Sequence, residues 1–125
     1  MLCVLYEKEN IMQVAVNSIQ DITDLAKGRT VSHSEESCSK TATFKTPDGQ
    51  VDFVQYDKGS PLVSQARLVN SDGDIFIRTV TKSGEVRQNL VRNNGEVTKF
   101  SGSEDAIAKG VRIFNEFVQK ITGKQ

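Results

Sequence analysis

Glycine-bearing turn signals recur through the middle of this chain, and no other feature constrains its fold as tightly. "TATFKT" and "QVDFVQY" flank Pro47-Asp48-Gly49, and "LVSQARLV" and "DIFIRTVTK" flank Ser71-Asp72-Gly73. Ser83-Gly84 and Asn94-Gly95 then punctuate "EVRQNLVR" and "EVTKF". Between the turns, apolar and polar residues alternate with the period of a half-buried strand. Such pairs between β-rich runs signal hairpins, because their residues reach positive φ at little steric cost. The pattern predicts an antiparallel β-meander of about five to six strands.

Helical periodicity appears on either side. Asn17 to Lys27 places Ile19, Ile22, Leu25 and Ala26 on one face, with Ser18 and Asp21 as a capping pair and Gly28 as a stop. At the C-terminus, Ile107, Val111, Phe114, Val118 and Ile121 recur at steps of four and three. That stripe is widened by Phe117, with Lys109, Arg112, Glu116 and Lys120 outside it. Ser101 with Glu104 reads as its capping box and Gly123 as its end. The fold class is therefore α+β: a short N-terminal helix, the meander, and a C-terminal amphipathic helix packed on one face. Residues 29–40 are polar and serine-rich, and read as a flexible loop or a poorly anchored strand.

A chain of 125 residues suits one small domain, 1–125. Sixteen basic residues balance sixteen acidic ones, which argues against a binder that coats nucleic acid with its whole surface. Two cysteines, Cys3 and Cys38, are no disulfide framework, and no apolar run approaches the length of a membrane span. These features point to a cytoplasmic protein without a membrane partner. Glu7 to Met12, "EKENIM", raises a separate question. Those residues can be encoded by a purine-rich ribosome-binding site followed by a start codon, as in a bacterial or phage gene. Residues 1–11 then fall outside the natural protein and Met12 initiates it; the competing reading is a genuine edge strand, Leu2 to Tyr6.

Taking the glycine turns as two-residue loops gives a register. Leu68 then meets Ile77, Arg67 meets Arg78, and Ala66 meets Thr79. Ile77 meets Leu90, Arg78 meets Asn89 and Val80 meets Arg87. Arg92 meets Val97, and Asn89 meets Phe100. Alternation sorts Ala66, Leu68, Ile75, Ile77, Val86, Leu90 and Val97 onto a core face. The opposite face collects Arg67, Arg78 and Arg87 around Phe76, Phe100 and Asn89. Arginines interleaved with aromatics suit a protein partner, including a second copy of the chain. They also suit single-stranded nucleic acid, with phosphates on the arginines and bases stacked on the rings. A plainer alternative has the first hairpin folded over this face, with Asp52 or Asp57 neutralising the arginines.

The residues that do chemistry elsewhere are sparse. His33, Glu35, Glu36 and Cys38 fall within six residues, but structural zinc sites use more cysteine and histidine, and a Cys38–His33 dyad lacks an orienting third group. "NSDGD" has Ile75 where a calcium loop needs glycine, and a hairpin turn accounts for it. The expectation is a non-enzymatic adaptor, inhibitor or homodimer, with no catalytic residues, no metal and no cofactor. Single-strand binding on the same face is the alternative. A small-ligand carrier would need a large apolar pocket between sheet and helix.

Overall fold

The computed structural model describes residues 14–123; the Met12 start and the expected strand Leu2–Tyr6 lie outside the described residues. In chain order the elements are α1 (Ile19–Ala26), β1 (Ser32–Glu36), β2 (Ser39–Thr46), β3 (Gly49–Tyr56) and β4 (Leu62–Asn70). β5 (Ile75–Thr81), β6 (Val86–Val91), β7 (Val97–Lys99) and α2 (Glu104–Thr122) follow. The strands form one seven-stranded sheet in sequence order, each antiparallel to its neighbours. The strand count exceeds the expected five to six because Ser32–Glu36 forms an edge strand. Of the two readings of residues 29–40, the strand prevails over the loop: β1 pairs along its length with β2, while every side chain in it stays exposed.

Local chemistry sets the helix ends. Ser18 accepts from the Asp21 N–H at 3.2 Å, and α1 closes on Lys27 in the left-handed region. For α2 the cap is Ser103, not Ser101: its Oγ accepts from the Ala106 N–H at 3.1 Å. Gly102, at φ +98°, turns the chain between the two serines. Gly123, at φ +76°, ends the helix and donates its N–H to the Gln119 carbonyl.

The three later hairpins share one loop, and it is not the expected one. Gly73 N–H donates to the Asn70 carbonyl at 3.1 Å while Asn70 N–H donates to the Asp74 carbonyl at 3.1 Å. Gly84 with Thr81 and Glu85, and Gly95 with Arg92 and Glu96, repeat that pattern. Each is a three-residue loop, a type I turn closed by a left-handed glycine, with φ of +87°, +94° and +93°. A two-residue type I′ turn would need positive φ at Asp72, Ser83 and Asn94 as well. Among the described residues only Lys27 is a non-glycine in that region.

The extra loop residue moves every pairing by one. Arg67 faces Ile77 and not Arg78, Leu68 faces Phe76, Phe76 faces Leu90, and Asn89 faces Lys99 and not Phe100. Because side chains alternate, a one-residue shift exchanges the two faces of a strand. Phe76 enters the core, and Ile75, Ile77 and Val97 leave it.

Both helices lie on the same side of the sheet. α1 packs over β2 and β3, and α2 over β3, β4 and β6. Beneath them sit Ala42, Phe44, Val51, Phe53, Ala66, Leu68, Phe76 and Leu90, all buried. From α2, Val111, Phe114, Phe117, Val118 and Ile121 complete the core. Phe76 is its hub: its ring stacks on Phe100 at 6.1 Å and meets Phe114 and Phe117, each at 5.8 Å.

Candidate binding face

The expected arginine–phenylalanine face is divided between the two sides of the sheet. Arg67, Arg87 and Asn89 stand on the side away from the helices. Phe76 (0% exposed), Phe100 (6%) and the partly buried Arg78 stand on the helix side. The convergence of three arginines is therefore corrected by the register: Arg78 sits opposite Ala66 and Gln88, not opposite Arg67.

On the helix side, Arg78 belongs to a polar network that sequence reasoning missed. Its Nη1 donates to Gln88 Oε1 at 2.7 Å, and Gln88 is fully buried. Gln88 Nε2 donates to the carbonyls of Phe100 and Ile107, each at 3.1 Å. The amide thereby ties the sheet to the chain entering α2 and to the helix's first turns. Gly110 lies directly above; a Cβ there would run into the Gln88 amide and come within 2.7 Å of Phe100 Cβ. A lone glycine inside an otherwise regular helical pattern was the available signal, since such glycines usually mark close packing. Arg78 has no carboxylate partner among the described residues, and burial lowers its pKa.

Away from the helices the sheet presents two cross-strand rows. In the first, Val69 pairs with Ile75, Ile75 with Val91, and Val91 with Val97. This aliphatic line crosses four strands, and no described element lies over it. Val97 at its end is 53% exposed. The parallel row runs Asp52, Arg67, Ile77, Asn89, Lys99, which sets Ile77 beside the aliphatic line. Asp52 does neutralise an arginine, as the plainer alternative had it, but from within the sheet: it pairs with Arg67 across the strands at 3.5 Å. Arg87 is held by Glu85 through two hydrogen bonds of 3.1 Å. That pairing holds the Glu85 carboxyl below its usual range and raises the Arg87 guanidinium, first by hydrogen bonding and then by charge.

The histidine–cysteine stretch is spread out by its strand. His33 and Glu35 point to the helix side of β1, Glu36 to the other, and Cys38 sits exposed in the β1–β2 turn. Glu35 pairs with Lys40 at 3.9 Å. In "NSDGD", Asn70 Oδ1 accepts from the N–H groups of Asp72 and Asp74, each at 3.0 Å, and so closes the hairpin. No three His, Cys, Asp or Glu side chains meet in a metal-holding group among the described residues, and no described helix is long and apolar enough to cross a membrane. A groove of about 430 Å³ opens at the rim between α2 and the turns, lined by Asp74, Arg92, Glu116, Phe117 and Lys120 among others. Its walls carry charges of both signs. Comparison with protein-family models, curated proteins and solved structures returns no match.

Proposed function

We propose that this protein is a non-enzymatic binding module that engages another protein, or a second copy of itself, through the sheet face opposite its helices. One observation carries the reading: the aliphatic line Val69–Ile75–Val91–Val97, with Ile77 beside it, stands on a face that no described element covers. Contiguous apolar surface rimmed by polar residues is characteristic of protein interfaces. Arg67, Asn89 and Lys99 supply that rim. A single-stranded nucleic acid would want aromatic platforms, and the two phenylalanines assigned to that task are buried. The charges weigh the same way, since Arg67 and Arg87 each have a carboxylate partner.

Site-specific photo-cross-linking in the native cell tests this. A photoreactive residue in place of Val91 is expected to give discrete protein adducts, while one in place of Arg112, on the outer side of α2, gives none. Equal labelling at both positions, or none at 91, overturns the reading. Oligonucleotide binding is expected to be absent; a tight, salt-sensitive complex lost in Arg67→Ser/Arg87→Ser would restore the nucleic-acid alternative.

A further inference from the structure

Resting on that binding face, we infer that its occupant is a second copy of the chain, packed sheet against sheet about a two-fold axis that runs along β5. A two-fold interface is self-complementary: what residue i meets on j, j meets on i. Few placements of the axis satisfy this face. With the axis on β5, β4 of one copy lies over β6 of the other, and β3 over β7.

The rows then match. Val69 lies over Val91 of the second copy, and Ile75 and Ile77 lie beside their own equivalents. Arg67 falls over Asn89, and Asp52 over Lys99. Lys99 has no ion pair within its own copy among the described residues, so the second copy's Asp52 gives it one and joins it to the Arg67 pair. Moving the axis to the gap between β5 and β6 would set Arg67 over Lys99, a like-charge contact. Moving it onto β6 would leave Val69 and Arg67 beyond the overlap. The hairpin loops explain why the face can match itself. Their glycines, Gly73, Gly84 and Gly95, recur every eleven residues, so positions 69 and 91, and 75 and 97, are equivalents two hairpins apart.

The area fits a weak dimer. Strands lie about 4.8 Å apart, and β4, β5 and β6 overlap over about 20 Å each. β7 has three residues, so the β3–β7 overlaps run about 10 Å, giving about 380 Å² per copy in projection. The pair buries about 800 Å², below the roughly 1,000 Å² of a stable specific interface, so the dimer should form reversibly and only at high micromolar concentration. Packed sheets stand about 10 Å apart. The test follows from that distance. In a background with Cys3→Ser and Cys38→Ser, Ile77→Cys places thiols on the axis, within reach of a bis-maleimide spanning about 10 Å. Val97→Cys places them about 19 Å apart sideways, two strands from the axis on each copy.

The expected result is a wild type that sediments as a dimer at high micromolar concentration, with efficient self-linking at 77 and little at 97. Ile77→Asp should keep the fold by circular dichroism and weaken dimerisation at least about a hundredfold, since two carboxylates would be buried against each other. The cross-link does not depend on that variant folding. A wild type monomeric throughout the micromolar range overturns the second copy, as does a dimer that links at 97 in preference to 77. Adducts to a different protein from position 91, with a monomeric wild type, would overturn the second copy and leave the binding face standing. No adduct at 91 removes both.

Discussion

Gln88 shows how much one buried amide can coordinate. It accepts from Arg78 and donates to two carbonyls, so it joins β5, the segment between β7 and α2, and α2 itself. Gln88→Ala should cost about 2–4 kcal/mol by chemical denaturation, because the loss leaves a partly buried guanidinium and a carbonyl without partners as well as a void. Arg67→Ser, on the side away from the helices, should change stability by less than about 1 kcal/mol, and Arg87→Ser should barely change it. A comparable loss from all three would contradict the division of the arginines between faces. Gly110→Ala gives a reversed sign. In an exposed helix alanine would gain about 1 kcal/mol, but here its methyl meets Gln88 and Phe100, and a loss of about 1–3 kcal/mol is expected. Glu85 has its folded-state pKa depressed by Arg87, so its contribution is present above its unfolded pKa and lost as pH falls through the folded one. The pair is exposed, so Glu85→Gln should shift the thermal midpoint little at neutral pH and not at all in acid.

Among the elements, α2 is legible in its periodicity alone, whereas the hairpins are legible in place but not in type. The predicted stripe of α2 is the buried one: Phe114 is 0% exposed and packs edge-on against Phe76 at 5.8 Å. Phe114→Ala should cost about 3–5 kcal/mol, while Lys109→Ala, on the exposed side, should be nearly silent. Similar losses from both would mean that the helix presents another face. The hairpins hid a one-residue ambiguity. Asp72 and Asn94 tolerate both hands of backbone, so their identity does not choose between a two-residue and a three-residue loop. The available cue was the shared spacing of the glycines, each followed by an acidic residue that pairs with the third residue before the glycine. Gly95→Ala should cost about 1 kcal/mol, because alanine at φ +93° is strained.

In the whole molecule, stability should be graded across the sheet. β4 and β5 lie centrally and carry Leu68 and Phe76 in the core, whereas β1 is wholly exposed and β7 has three exposed residues. Native-state hydrogen exchange should find the slowest amides in β4 and β5 and the fastest strand amides in β1 and β7. Uniform protection would mean that both edges are covered. The same layout leaves the other face without a described helix over it, since both helices are committed to one side and an antiparallel sheet can present the other to solvent or to a partner.

Local chemistry in the sequence was enough to place the turns, the helices, the core stripe of α2 and the α+β class, because caps, left-handed glycines and periodicity act within a few residues. The cap of α2 slipped from Ser101 to Ser103, a choice made by Gly102. What tertiary structure alone decided was the register, and with it the identity of the two faces. A single loop residue reverses every side chain of a strand, and the energies that select the loop are long-range. With Phe76 inward, four aromatic rings from β5, β7's end and α2 close into one core and Gln88 reaches α2. With Ile77 inward, that ring cluster could not form, and burying the larger aromatic surface is the stronger term. The face left on the other side keeps Arg67, Arg87 and Asn89 and gains Ile75, Ile77 and Val97, while Phe76, Phe100 and Arg78 turn toward the helices.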